Sequence, residues 1–460
     1  MILDAVLSRF VEQSPVTVMA QLALGRALEP GWVDALFEEH RQQQYTRELL
    51  FWSVVDIMTT VAVGLQPSVH AAAQARKDLP VSLAALYSKI NNTEPSLTRA
   101  LVVGSAQRLL PVVEQLRGER APLCPGYRIR VLDGNHLPAS EKRLAALRGF
   151  RGGARPGHSL VVYDPDAGMV IDLVPCEDAY AQERTLVPSL LPMTQAGEVW
   201  IADRNFCTTG ILSAWHQRGA AFVVREHSSH PNPTVLSELR KVGRVETGTV
   251  YEQEVEIGKG TDAFRLRRVE VHLDRATEDG DTVIRILTNL PAIKSAEEVA
   301  SLYRRRWSIE GMFQWLESVL NSEVRTLGYP RAALFAFSVA VLAFNVLSAI
   351  QTGIERQHDI DPEGETAVSL YYVANEIRTG YRGMMIAVHA EAWLVYLTLS
   401  DEELTRALLD IAAHIDPKTL RKHPRGPKKK ARKGYVAGHV VRAHVATARV
   451  LAGHKPAGSP

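Results

Sequence analysis

Three side chains between residues 303 and 310 have the types and the spacing that could bind a phosphate group and a metal ion. Tyr303, Arg306 and Glu310 are separated by three and four residues, so a helix would place them on one stripe of its surface. A guanidinium binds phosphate oxygens at two points, and a carboxylate binds hard cations. The alternative is a solvated helix face on which Arg306 and Glu310 form an i,i+4 ion pair. The stripe by itself leaves both interpretations open.

The helix that would carry this stripe is predicted from its first turn and its apolar side. Ser295 and Glu298 have the spacing of a capping box, in which a hydroxyl and a carboxylate close the helix start. Leu302, Ile309 and Leu316 then fall on one side of the same helix. We therefore expect a helix to run from Ser295 through this region, with the stripe close to its buried side.

Two aspartates end strand patterns elsewhere in the chain. The alternating run that starts at Tyr127 reaches Asp133, and the apolar run that starts at Glu198 reaches Asp203. Sites in open α/β sheets are usually built at strand ends. Taken singly, each aspartate is more often a salt-bridge partner or a turn cap than a ligand. Together with Glu310 they would supply three carboxylates, the oxygen ligands that Mg²⁺ prefers.

The sequence around these carboxylates resembles the insertion sequence 4 family of DDE transposases. Four segments carry the resemblance: Leu-Asp-Gly-Asn-His at 132–136, Trp-Ile-Ala-Asp-Arg-Asn-Phe at 200–206, Tyr-Arg-Arg-Arg-Trp-Ser-Ile-Glu at 303–310 and Leu-Gly-Tyr-Pro-Arg-Ala-Ala-Leu-Phe at 327–335. The family signature of Tyr, two residues, Arg, three residues and Glu is present. That signature continues with a Lys seven residues after the Glu, and Glu317 stands at this position here.

The resemblance implies a metal-dependent enzyme that cuts and joins DNA. Asp133, Asp203 and Glu310 would be its catalytic residues and the ligands of Mg²⁺, with Mn²⁺ as a substitute. Water would attack at the end of the element and free a 3′-hydroxyl, which would then attack target DNA. The residues of this region that are expected to contact DNA are Tyr303, Arg306, Arg204 and Trp307.

Two points about these contacts stay open from the sequence. Trp307 could stack on a base, and a core aromatic is an equally good interpretation. Some relatives pass through a DNA hairpin and flip a base onto an aromatic side chain of an inserted subdomain. The corresponding segment here, 228–282, contains no Trp, so the hairpin route is undecided.

The order of strand and helix patterns predicts an α/β fold with a ribonuclease-H-like catalytic core. Three strand patterns form an antiparallel meander, and helix and strand patterns then alternate. In this topology the strands that end at Asp133 and Asp203 lie side by side. The predicted divisions are an N-terminal helical domain (1–125), which the resemblance assigns to recognition of the element ends, a first part of the core (126–227), a β-rich insertion (228–282), a second part of the core (283–355), a C-terminal helical region (356–416) and a basic tail (417–460).

Local patterns predict further features. A helix is expected over 182–191, and a break in alternation predicts a β-bulge at 267–268. Pro111 is expected to kink or split the helix that contains it. Three aspartates are excluded from the site, Asp164 and Asp166 as turn residues and Asp172 as an outward-facing strand residue.

Charge is distributed unevenly along the chain. The 460 residues have a net charge of only +2, but the segment 418–433 contains many Lys and Arg and no acid. Dense unopposed cations gain from the release of DNA counterions, and a solvated disordered tail is the alternative. The residues of this run that are expected to contact DNA are Arg425, Lys428, Lys429 and Lys430.

The cysteines and the apolar segments bear on the location of the protein. Cys124, Cys176 and Cys207 form neither a disulfide framework nor a metal-binding spacing, which predicts a reducing cytoplasm. The first residues lack the pattern of a secretory signal. The apolar segment 332–350 has the length of a membrane span, but it contains polar residues such as Asn345. A buried core helix is the preferred interpretation.

Three functions fit these features. The leading hypothesis is a cut-and-paste transposase that works as a homodimer on paired ends, with the terminal inverted repeats and the target as its double-stranded DNA partners. A nuclease that nicks DNA without strand transfer is the second. A transposase-derived DNA-binding protein without catalysis is the third. The three carboxylates argue against the third function, and Glu317 in place of Lys keeps it open.

Overall fold

A computed structural model of the protein describes residues 5–46, 48–76, 79–423 and 444–453. These residues form a mixed α/β fold in which helices pack against a central sheet. The helices are α1 (Ala5–Gln13), α2 (Pro15–Ala27), α3 (Pro30–His40), α4 (Phe51–Ala62), α5 (Val69–Ala75), α6 (Leu83–Asn91), α7 (Pro95–Arg117), α8 (Thr209–Gln217), α9 (Ala296–Arg304), α10 (Trp307–Ser318), α11 (Pro330–Gln357), α12 (Leu370–Ala387), α13 (Glu391–Leu397), α14 (Asp401–Ala412) and α15 (Thr447–Leu451). The strands are β1 (Arg128–His136), β2 (Gly153–Arg155), β3 (His158–Asp164), β4 (Met169–Cys176), β5 (Glu198–Ala202), β6 (Ala221–Arg225), β7 (Thr234–Val235), β8 (Arg240–Val245), β9 (Gly248–Ile257), β10 (Phe264–Leu273), β11 (Val283–Thr288) and β12 (His444–Ala446).

One large sheet organises the structure. Its strand order is β4-β3-β1-β5-β6-β11-β10-β9-β7, and β8 also pairs with β9. Strand β1 is parallel to β5, and β5 is parallel to β6, while the other pairs are antiparallel. The predicted antiparallel meander of β1, β3 and β4 is therefore confirmed. Together with α8 between β5 and β6, this arrangement is consistent with a ribonuclease-H-like core.

Alternate residues of the central strands face two separate cores, as the two-residue period of a strand requires. Val131 and Ile201 belong to the larger core, which includes α7 and α11. Leu132 and Ala202 belong to the smaller core, which includes Trp215 of α8. The sheet is thus covered on both faces, and its strands read as almost continuous apolar runs.

The strands of segment 228–282 continue the central sheet. Strand β10 pairs with β11, and β11 pairs with β6. The predicted bulge at 267–268 is wrong, because β10 pairs with β9 through both positions without a register shift. The alternation changes there for another reason. Leu266 packs in the smaller core and Val269 in the larger core, so the covered face changes along a regular strand.

Helix α11 is the buried centre of the helical layer. It is long and apolar enough to cross a membrane, but its apolar window is completely buried within the fold, which confirms the prediction of a core helix. Asn345 donates to the carbonyl of Val170 and accepts from its N–H, both at 2.8 Å. Ser348 donates to the carbonyl of Gly168 at 2.7 Å. The polar residues of α11 therefore fasten it to strand β4 and to the turn before it.

The helix predicted to continue from Ser295 is divided into two helices. The capping box of Ser295 and Glu298 is confirmed, but α9 ends at Arg304 and α10 begins at Trp307. Between them the N–H of Arg306 donates to the carbonyl of Tyr303 at 3.1 Å, which is the tighter i→i+3 pattern. Arg306 therefore lies at a joint between two helices.

Two other local predictions, those for segment 182–191 and for Asp172, are wrong, and a third is wrong in part, because Pro111 does not split its helix while a kink there stays a prediction. Segment 182–191 forms 3₁₀ turns, and Pro188, which has no N–H to donate, lies within the first of them. Pro111 does not split its helix, since α7 continues to Arg117. Asp172 is not outward-facing. It is buried under α7, where Arg99 binds its two oxygens at 2.8 and 2.7 Å.

The substitution Asn345→Ala should lower the free energy of unfolding by about 2–4 kcal/mol. The N–H and carbonyl of Val170 would each lose a buried hydrogen-bond partner, and an unsatisfied buried group costs about 1–3 kcal/mol. Urea unfolding followed by circular dichroism measures the change. Ser338→Ala is the matched control, because the structure shows the buried Ser338 hydroxyl on the same helix without a hydrogen-bond partner. Equal losses in the two variants would contradict the role of Asn345.

Candidate active site

Asp133 and Asp203 lie side by side at one end of the central sheet. The parallel register of β1 and β5 pairs Leu132 with Ala202. Asp133 directly follows Leu132, and Asp203 directly follows Ala202. The topology predicted this neighbourhood correctly. Each carboxylate also accepts a local hydrogen bond, from the N–H of Gly134 at 2.9 Å and from the N–H of Asn205 at 2.8 Å. These bonds fix the direction of both side chains.

Arg306 connects Asp133 with Glu310. Its Nη1 lies 3.0 Å from Asp133 Oδ2, and its Nη2 lies 2.8 Å from Glu310 Oε1. Helix α10 contacts β1, and only 11% of the Arg306 side chain is exposed. Tyr303 lies beside Arg306, and burial raises the pKa of its phenol. Two segments that are distant in the sequence thus meet around one guanidinium, whose charge also acts on Asp203.

The charges in this site are unbalanced. Burial raises the pKa of Asp133 from its ordinary value of 3.8 to about 7, and the nearby charges of Asp203 and Glu183 add to the effect while Arg306 opposes it. Burial also raises the pKa of Asp203. A carboxylate is difficult to ionise when it is both desolvated and close to other carboxylates. The site would therefore be stabilised by additional positive charge.

The donor chemistry fits a hard divalent cation such as Mg²⁺, because all three candidate ligands are carboxylates. Within the described residues, however, no three His, Cys, Asp or Glu side chains lie close enough together to hold one ion. Asp133 and Glu310 both bind Arg306 instead. For both carboxylates to bind metal, Arg306 must give up at least one of these ion pairs.

The other predicted DNA contacts lie at different places. Arg204 is exposed beside Asp203. Trp307 is the first residue of α10 and is 62% exposed, so the interpretation as a core aromatic is wrong. The guanidinium of Arg306 lies 5.0 Å from the centre of the Trp307 ring. The predicted contacts Arg425, Lys428, Lys429 and Lys430 lie outside the described residues.

Glu317 is exposed on α10. Burial raises the pKa of the Glu323 carboxyl, and the nearby charge of Glu317 raises it further. Among the described residues, Glu317 forms no ion pair with the groups around Arg306. The departure from the family signature is thus a surface charge in this part of the structure.

Glu183 is a site residue that was not expected from the sequence. Asn205 Nδ2 donates to its Oε2 at 3.1 Å, and His136 Nε2 lies 3.4 Å from its Oε1. Both partners belong to motif segments that carry the resemblance, 132–136 and 200–206. The position of these two partners in the motif segments was the one sequence signal that pointed to Glu183. Glu183 itself lies in a segment that was interpreted as an ordinary helix.

Comparison with known proteins finds a family similarity for the region that contains this site. Residues 125–346, just under half of the chain, match the family model of the transposase DDE domain. This region is similar to the DDE domain of transposases. Its three candidate carboxylates, Asp133, Asp203 and Glu310, all lie within the matched residues.

Two relatives whose names describe them as transposases are similar to part of this chain. The chain is 28% identical over 223 residues to a putative transposase, y4zB, of Sinorhizobium fredii, covering 48% of this chain and 60% of that protein. It is 26% identical over 197 residues to a probable transposase for insertion sequence element IS5377 of Geobacillus stearothermophilus, covering 42% of this chain and 48% of that protein. The chain thus spans about half to three fifths of the length of these relatives.

The substitution Asp133→Asn should increase stability above pH 7 when metal is removed with EDTA. The folded-state pKa of about 7 lies above the ordinary value of 3.8, so wild-type stability falls as the pH rises through 7. A neutral side chain removes that loss, and each pKa unit corresponds to about 1.4 kcal/mol. We expect a gain on the order of 2 kcal/mol at pH 8 that shrinks towards pH 5, measured by urea unfolding.

Glu403→Gln provides a control of opposite sign. Hydrogen bonds from Ser400 lower the pKa of Glu403, so its contribution is present above the ordinary pKa and is lost on acidification. This variant should lose stability at pH 8 and approach the wild type at low pH. If the stability of Asp133→Asn changed with pH in parallel with that of the wild type, the raised pKa of Asp133 would be contradicted.

Proposed function

We propose that the protein is the transposase of an insertion sequence of the insertion sequence 4 family, and that it cuts and joins DNA by a metal-dependent cut-and-paste route. The observation that carries the proposal is the meeting of Asp133, Asp203 and Glu310 around Arg306 inside a region similar to the DDE domain of transposases. A structural ion pair needs two carboxylates at most. The third carboxylate and the raised pKa of Asp133 favour a site built for cations.

The three carboxylates would hold two divalent ions, Mg²⁺ with Mn²⁺ as a substitute. When bound, such ions activate the attacking oxygen and stabilise the leaving oxygen of a phosphodiester. Positively charged side chains of the protein would bind and orient the phosphate. Once Arg306 has released a carboxylate, its planar guanidinium can bind two phosphate oxygens. Tyr303 would orient that guanidinium, and the exposed Arg204 would bind a neighbouring phosphate.

The surface beside the site would bind the DNA strand. Trp307 presents a ring to solvent next to Arg306, which is the arrangement that base stacking needs. The residues of the basic run proposed to bind phosphates along the strand are Arg425, Lys428, Lys429 and Lys430. We propose further that the helical domain 1–125 recognises the terminal inverted repeats and that two copies pair the element ends.

The predicted domain divisions and the cytoplasmic location are part of the same proposal. The cysteines at 124, 176 and 207 are free thiols in the structure, which supports a reducing compartment. A nuclease that cuts without strand transfer would use the same site. The products of the reaction therefore distinguish the two functions.

The first prediction of this proposal concerns Glu310. Labelled duplex DNA that carries the sequence flanking the gene should be cut in Mg²⁺ and not in EDTA. Glu310→Ala should lower the cleavage rate by at least about 10³-fold, because several kcal/mol of charge stabilisation are lost. Joined products would identify strand transfer, and cut products without joining would identify a nuclease.

Glu317→Ala is the matched control on the same helix. Glu317 is exposed and stands where the family signature has Lys, and its removal should leave the cleavage rate within about twofold. If the wild type and both variants bind DNA equally and none cuts it, the catalytic proposal is wrong, and the protein is a transposase-derived DNA-binding protein.

A second prediction concerns Trp307. Trp307→Ala should weaken binding of single-stranded or end-bearing DNA by about 5- to 150-fold, because stacking of one base contributes about 1–3 kcal/mol. Fluorescence anisotropy measures the affinity, and the unfolding midpoint should not change because the ring is exposed. Ile386→Ala removes another exposed apolar side chain on α12 and should leave the affinity unchanged. Equal effects of the two substitutions would exclude stacking.

A further inference from the structure

Glu183 is a fourth carboxylate beside the candidate active site and is not one of the three expected metal ligands. Its side chain is 17% exposed, although the segment that carries it is a 3₁₀ turn on the surface of the sheet. The negative charge of Glu183 helps to raise the pKa of Asp133 and the pKa of Asp203. A buried charge of this kind needs specific partners.

The partners of Glu183 come from the ends of the two strands that carry the aspartates. One carboxylate oxygen accepts from Asn205 Nδ2 at 3.1 Å, and Asn205 follows Asp203 by two residues. The other oxygen lies 3.4 Å from His136 Nε2, at the end of β1. One side chain therefore connects the strand end after Asp133 with the turn after Asp203.

Gly134 gives Glu183 the room for this contact. A Cβ atom at position 134 would overlap the Glu183 carboxylate, so the carboxylate lies directly on the backbone that follows Asp133. Only glycine leaves this space. Glycine is needed here for steric reasons, because the strand conformation of residue 134 would allow other residues.

The His136 ring also packs against a second histidine. It lies 4.8 Å from the ring of His158, measured between centroids. His158 is completely buried, and burial lowers its pKa, so it offers a neutral ring as a packing surface. His136 thus contacts both His158 and Glu183, although 39% of its side chain is exposed, and it cannot turn away without breaking the contact with Glu183.

The cleft beside Glu183 remains open to solvent. Its volume is about 430 Å³, and its lining includes His136, Glu183, Asn205 and His227. A residue needed for core packing would be enclosed by apolar side chains. Glu183 instead faces a polar cleft next to the carboxylates, where its hydrogen bonds rather than its volume determine its effect.

We propose that Glu183 is a positioning residue of the active site, which fixes the spacing of the Asp133 and Asp203 carboxylates by binding His136 and Asn205. The proposal rests on the proposed function, because the spacing matters for metal binding and DNA cleavage. Residues that orient metal ligands commonly change metal affinity or activity by about 10- to 100-fold when they are replaced. Glu183 acts in this way without touching the DNA.

The test compares Glu183→Gln with the wild type. Glutamine keeps the size of the side chain and can still accept from Asn205, but it cannot accept from His136 with its amide nitrogen. Calorimetric titration of the DNA-free protein with Mn²⁺ should show affinity weakened by about 10- to 100-fold. The kcat for cleavage of labelled duplex should fall by a similar factor, while KM for DNA should stay within about twofold. The unfolding midpoint in EDTA should stay close to that of the wild type.

Two further variants keep the test decisive. Asn205→Ala removes one hydrogen bond and leaves the Glu183 charge in place, and it should weaken Mn²⁺ binding in the same direction. Glu177→Gln is the matched control, because Glu177 lies six residues earlier and is paired with Arg331 of α11 at 2.7 Å. It should leave Mn²⁺ affinity and kcat unchanged.

The outcomes separate the inference from the proposed function. If the wild type cuts DNA and Glu310→Ala does not, while Glu183→Gln binds Mn²⁺ and cuts like Glu177→Gln, the inference is wrong and the function stands. If Glu183→Gln loses only stability in EDTA, with unchanged Mn²⁺ affinity of the folded protein, its role is structural and the inference is also wrong. If the wild type neither binds Mn²⁺ nor cuts, the proposed function fails, and the inference fails with it.

Discussion

The site depends on one interaction, the double ion pair of Arg306 with Asp133 and Glu310. The arginine and Asp133 are 173 residues apart in the sequence, and both side chains are largely buried. A desolvated carboxylate needs a compensating charge, so this guanidinium makes the approach of α10 to β1 favourable. Its single positive charge is opposed by the carboxylates of Asp133, Asp203, Glu183 and Glu310. The acids therefore exceed the cation that holds them, and this surplus is one reason for the proposal that the site binds metal ions.

The scaffold places these charges through backbone pairing and through ion pairs at both ends of the same strand. Parallel pairing of β1 and β5 puts Asp133 next to Asp203. Near the opposite end of β1, the buried Arg130 binds Asp164 at 2.5 Å and Glu198 at 2.9 Å. The Arg130 cluster has one guanidinium for two carboxylates, and these carboxylates also accept from the N–H groups of Ala167 and Gln195 and from Trp200 Nε1. The cluster around Arg306 has two further carboxylates nearby, those of Asp203 and Glu183. The two clusters thus differ in the number of carboxylates that surround one guanidinium.

The strand ends could be predicted from the sequence, because alternation and apolar runs reveal strands and the topology makes their ends adjacent. The stripe of Tyr303, Arg306 and Glu310 was also visible in the helical spacing. The joint at Arg306 was not, because residues 303–310 form a good helix pattern and the break depends on contacts with a distant strand. Glu183 was missed for a related reason, since its importance comes from His136 and Asn205 and not from its own neighbours. The false bulge arose because a strand buried on both faces changes its apolar phase without changing its register.

The bond between Asn345 and Val170 also affects how the protein meets other chains. Strand β4 is at one edge of a ten-stranded sheet, and an edge strand offers free N–H and carbonyl groups to any strand that approaches it. The Asn345 amide already occupies both groups of Val170 at 2.8 Å, and α7 and α11 pack beside the same strand. An incoming strand would have to break these bonds before it could pair. The β4 edge is therefore protected against intermolecular strand pairing at Val170, and a side chain in the core helix provides that protection.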